Sequence, residues 1–272
     1  MAITCVSFDL DNTLWHTDPV IKKADHALLL WLAEHVPNFG VDFLSQRQPA
    51  VSHLLPIAPN TAEGAAPAAA LVDYLAHLRS AVLKAQPEIA YSVSRVRQQM
   101  LHLGFCEAGI SEAARHGLVE RAFEHFVAAR RQVTPFDEAV PMLSELNAQG
   151  LDCFALTNGN ACIKTAGLDQ HLSAQYTADD LGVMKPHRDS FLRAFEQHGV
   201  AAAEVIHVGD NLIDDIQGAR SIGVPSIWVN LTGEAQPDDV LTLDQLPAQR
   251  AAEVSVMVTD LREIPAVVKA LA

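Results

Sequence analysis

Two carboxylates separated by a single residue, Asp9 and Asp11, close a short apolar run and are followed at once by Asn12 and Thr13. Residues 3–8 are β-rich and apolar enough for a fully buried strand, whereas Asp, Asn and Thr favour turns because their side chains bond nearby backbone. A buried strand therefore becomes an acidic loop within two residues. The pattern recurs at Gly209-Asp210-Asn211, with Asp214 and Asp215 just beyond. Each stretch by itself could be a turn or a helix start. Together, Asp9, Asp11, Asp210 and either Asp214 or Asp215 would crowd one crevice, and like charges at ~4 Å repel too strongly to share it without a cation. Mg²⁺, held by one or two carboxylates, waters and a substrate phosphate, is the expected ion.

Two further stretches supply the groups an anion needs. Thr157 and Asn158 precede Gly159, at the start of an expected helix from Asn160, so backbone N–H groups and a hydroxyl would face the anion. A plain Asn-Gly turn is the competing account. Lys185 is the single lysine between Lys164 and Lys269, and Pro186 would hold it outside the helix that follows. A lone lysine is usually a solvated surface residue, yet a carboxylate-rich site that takes phosphate needs a fixed cation.

These residues meet only if the elements bring them together. Helical spacing covers 19–36, 68–85, 91–103 and 111–131, with a further helix expected at 42–55 and a Pro/Ala/Gly-rich loop at 56–67. Residues 16–133 thus read as an all-helical block. From 134 onward helices alternate with short apolar runs: helix 138–149, strand 151–156, a weaker strand 175–177, strands 205–208 and 226–229, a polar connection over 237–251, and a strand and closing helix within 253–272. Alternation implies an α/β fold with a mostly parallel sheet, whose strand-end loops converge on one crevice. Asp9, Thr157 and Asp210 would meet there. The division is residues 1–15 with 134–272 as the α/β core, and 16–133 as the inserted helical domain.

The totals narrow the function classes. The chain has 272 residues, 49% apolar and 19% charged, with a net charge of −14. That balance repels nucleic acid and anionic membrane, and no basic run breaks it. No apolar stretch approaches the ~18 residues of a membrane span. Cys5, Cys106, Cys153 and Cys162 have no metal-like spacing and suggest reduced thiols in a cytoplasm. Oligomeric state is not legible.

Taken in order, Asp9-Leu10-Asp11-Asn12-Thr13, Thr157-Asn158, Lys185, and Gly209-Asp210 with Asp215 resemble the four motifs of the haloacid dehalogenase superfamily. The resemblance implies a Rossmann-like core with the helical block as its cap. It implies Asp9 as the nucleophile that forms an aspartyl-phosphate, and Asp11 as the acid that protonates the leaving alcohol and then activates water. For the first step Asp11 must hold a proton, which an acidic neighbourhood favours. Thr157 and Asn158 would hold the phosphoryl oxygens, Lys185 would neutralise them, and Mg²⁺ would bind Asp9, the Asp11 carbonyl and Asp210. Asp215, with Asp214 ranked second, would orient Lys185 or a metal-bound water, and Thr13 would support the site from behind. Dehalogenases of the superfamily lack the second Asp, so Asp11 favours phosphate esters. Phosphomutases share the pair, and a non-enzymatic phospho-acceptor or binding module is the alternative from another class. Gln86-Pro87-Glu88-Ile89 with Arg95, residues 156–161, and His207-Val208-Gly209-Asp210 are similar to bacterial flavin mononucleotide (FMN) phosphatases that also serve riboflavin synthesis. The similarity departs at 56–67. FMN or a related ribityl or nucleotide monophosphate is therefore the expected substrate, with Trp15 and His16 as candidates to face its leaving group, Trp15 by stacking on a ring.

Overall fold

All four residues of β1 (Cys5–Phe8) are buried, as an inner strand of a parallel sheet covered on both faces requires. The computed structural model describes residues 2–36, 65–246 and 254–272, with backbone alone over 65–73. The other strands are β2 (Asp152–Thr157), β3 (Gln175–Thr177), β4 (Val205–Gly209), β5 (Ser226–Val229) and β6 (Ser255–Val258). They form one sheet in the order β3-β2-β1-β4-β5-β6, every pairing parallel. The α/β, Rossmann-like reading holds.

Helices α1 (Thr17–His35), α2 (Ala65–Ala85), α3 (Val93–Glu107) and α4 (Glu112–Arg130) precede α5 (Ala139–Ala148), α6 (Ala178–Leu181), α7 (Arg188–His198), α8 (Gly218–Arg220) and α9 (Ile264–Leu271). One sheet face, with Val6, Phe8, Ile206 and Val208, packs on Met142 and Leu146 of α5 and Val267 and Leu271 of α9. The opposite face, with Cys5, Phe154 and Leu156, packs on Phe191 and Phe195 of α7. Burying each large apolar side chain contributes roughly 1.5–3 kcal/mol, so covering both faces fixes the strand ends relative to one another.

The chain divides into two compact units, Met1–Thr17 with Val133–Ala272, and Asp18–Gln132. The second unit is helical among its described residues. Leu28 and Leu32 of α1, Leu78 of α2, Met100 and Phe105 of α3, and Ala122 and Phe126 of α4 share its core. Ser92 caps α3 by accepting the Arg95 N–H at 2.9 Å. Inside this core Arg97 donates to Asp25 at 3.0 Å and lies 4.0 Å from the Phe126 ring centre.

The helix expected at 42–55 lies outside the described residues. Of the loop expected at 56–67, residues 56–64 lie outside the described residues and 65–67 are helical instead, because α2 begins at Ala65 and Pro67 falls in its first turn, where a missing N–H removes no helical hydrogen bond. The helix expected from Asn160 does not form. The Gln175 side-chain amide takes over the local backbone instead, accepting from the Ile163 N–H at 2.9 Å and donating to the Ala161 carbonyl at 2.6 Å, and turns follow.

Candidate active site

Parallel register brings the acidic loops together. Phe8 lies opposite Ala155 on one side and Val208 on the other, so Asp9, Thr157 and Asp210 emerge at adjacent carboxyl ends. Asp9 extends the ladder by one bond, its N–H donating to the Val208 carbonyl at 2.8 Å. The chain then doubles back: Asn12 takes φ +61°, a left-handed turn that Asn tolerates better than most residues. Its N–H donates to the Trp15 carbonyl at 2.8 Å and its side chain accepts the Thr17 N–H at 3.0 Å. That return carries Thr13 under the site, where its hydroxyl reaches Asp9 Oδ2 and Asp210 Oδ1, both at 3.2 Å.

The floor of the pocket is a chain of buried charges. Lys185, 1% exposed, places Nζ 2.7 Å from Asp9 Oδ1 and 2.6 Å from Asp215 Oδ1. Asp215 also accepts from His207 Nε2 at 3.0 Å and from the Asn211 N–H at 3.0 Å. Ser7 closes the chain at 2.8 Å from His207 Nδ1. Burial alone would raise Asp215, but Lys185 and the His207 hydrogen bond outweigh it and hold the carboxyl well below its ordinary range. Burial likewise works against the Lys185 cation, yet Asp215 and Asp9 together raise it above its ordinary value. Burial holds His207 low, so the neutral ring donates Nε2–H to ionised Asp215 and accepts from the Ser7 hydroxyl.

This arrangement needs Gly209. A Cβ there would stand 2.2 Å from Asp215 Cγ, inside any tolerable contact, so only glycine lets the carboxylate pass behind β4. Lys185 is itself set by Asn158, whose Oδ1 accepts the Lys185 N–H at 2.8 Å and whose Nδ2 donates to the Lys185 carbonyl at 3.0 Å. The same amide donates to Asp214 at 3.3 Å. Asp214 therefore lines the pocket while Asp215 anchors Lys185. Thr157 is buried and its hydroxyl accepts the Gly159 N–H at 3.0 Å; with Asn158 and Gly159 it lines the pocket.

At the rim, Trp15 Nε1 and Thr17 Oγ1 donate to Asp11 Oδ1, at 2.9 and 2.8 Å. This corrects the stacking role expected of Trp15. The indole is 0% exposed in the sheet unit's hydrophobic core, and an aromatic burying 150–250 Å² is stabilised by about 4–6 kcal/mol. Stacking on a ligand would forfeit that contact. His16 is exposed and meets Phe136 edge-on at 4.7 Å. The sequence motifs include His207 and Asn211 but give them no role in the site, and Thr17 carries no signal there. Asn211 had a visible signal, since it caps the π-helical turn Leu212–Gln217 by accepting the Ile213 and Asp214 N–H groups.

Oxygens of Asp9, Asp210 and Asp215 come within 4.8 Å of one another, and this acidic cluster could hold a metal ion. Asp215 already has both oxygens engaged, so the unmet charge lies between Asp9 and Asp210. Burial first, then Asp215, pushes Asp210 up to about 6. Burial also drives Asp9 well up, with Lys185 opposing and the Asp215 and Asp210 charges adding. Lys185 is shared with Asp215, so it compensates Asp9 only in part. A hard divalent cation fits that deficit and that donor set.

Fold and site define an enzyme of Rossmann-like α/β architecture with an acidic pocket at the carboxyl ends of the inner strands. The chain belongs to the haloacid dehalogenase-like hydrolases, whose family model matches residues 3–223. It is 27% identical over 227 residues to the 5-amino-6-(5-phospho-D-ribitylamino)uracil phosphatase YigB of Escherichia coli, covering 84% of this chain and 83% of that protein. To a phosphoserine phosphatase of Thermus thermophilus it is 36% identical over 135 residues, 45% of this chain and 54% of the other. A solved structure of a 2-haloacid dehalogenase from Pseudomonas syringae pv. Tomato matches with a TM-score of 0.76 at 32% identity, over 99% of this chain and 100% of that one. No helix among the described residues is long and apolar enough to cross a membrane.

Proposed function

We propose that this hydrolase is a Mg²⁺-dependent phosphatase that cleaves a small phosphorylated metabolite through an aspartyl-phosphate, with FMN or a related ribityl or nucleotide monophosphate as substrate. The chain is a phosphoric monoester hydrolase. The phosphatase reading is supported by the similarity to the phosphatase of Escherichia coli over 84% of the chain and, above all, by Asp11, fixed at the rim by Trp15 and Thr17. A halide leaves without a proton, whereas an alkoxide does not leave readily, so a positioned acid two residues from the nucleophile has a task in ester cleavage and none in dehalogenation.

In this reading an Asp9 carboxylate oxygen attacks phosphorus, the P–O bond to the alcohol breaks, and Asp11 gives its proton to the departing oxygen. Asp11, now a base, takes a proton from water as that water attacks the phosphoryl group, releasing phosphate and regenerating Asp9. Lys185 restrains Asp9 and balances phosphoryl charge, and the residues lining the pocket at Thr157, Asn158 and Gly159 position the phosphoryl oxygens. Asp9, the Asp11 carbonyl and Asp210 would hold Mg²⁺, which supplies positive charge against the transferring phosphoryl group. Asp215 orients Lys185. The helical unit inserted between Thr17 and Val133 is the cap that selects the substrate. The four cysteines are free thiols, in keeping with work in a reducing cytoplasm.

The ribityl preference rests on the relative from Escherichia coli. Phosphate release from FMN, 5-amino-6-(5-phospho-D-ribitylamino)uracil, phosphoserine and phosphoglycolate, alongside chloride release from 2-chloropropionate, tests it. The two ribityl esters should lead in kcat/KM by roughly 10-fold or more, with EDTA abolishing turnover. Chloride release above phosphate release, or EDTA-insensitive hydrolysis, would overturn the reading.

A further inference from the structure

The opposite end of β1 carries a second group of ligating side chains. Cys5 opens β1, Asp152 opens β2, and the two are paired directly across the parallel ladder. His198, the last residue of α7, completes the group, and Cys5 Sγ, a carboxylate oxygen of Asp152 and a ring nitrogen of His198 all lie within 4.8 Å of one another. His198 Nε2 is 2.9 Å from Asp152 Oδ2, and its Nδ1 is 3.2 Å from the Tyr176 hydroxyl. Phe154 packs against the imidazole with ring centres 4.0 Å apart. The ring is thereby fixed in orientation, with Nδ1 towards the phenol and Nε2 towards the carboxylate and the thiol.

We propose that Cys5, Asp152 and His198 form a zinc site, separate from the carboxylate pocket, with water in the fourth position. Thiolate, imidazole and carboxylate in one tetrahedron is a borderline-soft donor set that suits Zn²⁺ and not Mg²⁺. Zinc holds such ligand atoms roughly 3.3–3.6 Å apart, so closing the cluster takes a movement of about 1 Å. Tyr176 supplies the outer hydrogen bond that a metal-bound histidine requires. Binding replaces the His198–Asp152 contact with two metal bonds and releases the Cys5 thiol proton to solvent. Asp152 is exposed and gives the ion its entry. Asp9 lies four positions beyond Cys5, about 13 Å along an extended strand, so the ion acts by tying α7 to β1 and β2, not in the reaction.

Co²⁺ titration of the full chain in saturating Mg²⁺ is the test. One Co²⁺ should bind with a near-ultraviolet thiolate-to-cobalt absorption, displaced by one equivalent of Zn²⁺. Carboxylates in the catalytic pocket cannot produce that absorption. It should vanish in Cys5→Ser, with Mg²⁺-supported phosphate release unchanged, and persist in Cys106→Ser and Cys162→Ser. Tyr176→Phe should keep the absorption but weaken Zn²⁺ binding roughly 10–100-fold. No thiolate absorption in the wild-type chain, or absorption lost with Cys106 or Cys162 and kept without Cys5, would overturn the site and leave His198 and Asp152 as a plain ion pair. Should Cys5→Ser fail to fold, Zn²⁺ affinity unchanged in both Tyr176→Phe and Asp152→Asn would overturn it equally.

Discussion

Asp9 and Asp11 are two residues apart and live in different surroundings. Asp9 sits on the buried floor, its oxygens bonded to Lys185 and Thr13, within a chain of contacts that runs through Asp215 and His207 to Ser7. Asp11 stands at the half-exposed rim, its Oδ1 held by one indole and one hydroxyl. On the floor Lys185 ties Asp9 to Asp215, and the charge left over lies between Asp9 and Asp210. A nucleophile needs that fixity, because attack depends on a carboxylate oxygen held in line. The rim is tethered but open to solvent, as a group that must exchange protons with a leaving oxygen and then with water requires.

Floor substitutions that leave a buried charge unpaired should therefore cost stability as well as turnover, whereas those at the rim should affect the reaction alone. Asp9→Asn should remove turnover by at least about 10⁴-fold while keeping the fold, measured as phosphate release beside circular dichroism. Lys185→Met strikes the floor harder structurally. Asp9 and Asp215 then face each other without a cation, and loss of one partner of a buried pair costs about 3–5 kcal/mol, visible in urea unfolding. A Lys185→Met protein as stable as wild type would break the distinction between floor and rim.

Metal-free stability should follow the floor's titration. Asp210, at about 6 in the folded chain, lies above an unfolded aspartate near ~3.9, so protonation favours the folded state. Its contribution is complete below the unfolded value and is lost as pH rises through about 6. Tm in EDTA should fall over that interval, and Mg²⁺ should restore it by binding the ionised form. The smallest effect belongs to the rim: Thr17→Val keeps the side chain's shape but drops one hydrogen bond to Asp11, and should lower kcat by about 10-fold with Tm little changed.

Much of this was legible because the chemistry is local. The apolar run that stops at Asp9, the glycine before Asp210 and the lone Lys185 against Pro186 each announce a strand end or loop within a few residues. Hidden features were those that depend on distant partners. The turns after Asn160 come from Gln175, more than ten residues away, whose amide competes with helical bonding. Trp15 beside an acidic loop looked like a platform for a ring, and only packing against residues such as Leu10, Leu14 and Met142 shows why it stays in the core. His207 sits within an apolar strand, where a polar residue gives no hint whether it meets solvent or, as here, Asp215 and Ser7.

Asp11→Asn with p-nitrophenyl phosphate separates the two roles most directly. p-Nitrophenolate departs without a general acid, so attack by Asp9 needs no help, while hydrolysis of the aspartyl-phosphate still needs a base. Rapid mixing should give a burst of p-nitrophenol close to one equivalent of enzyme, phosphate retained on the protein, and then turnover slowed by about 10²–10⁴-fold. A slow release from the first turnover, with no phosphate on the protein, would contradict the division of labour between Asp9 and Asp11.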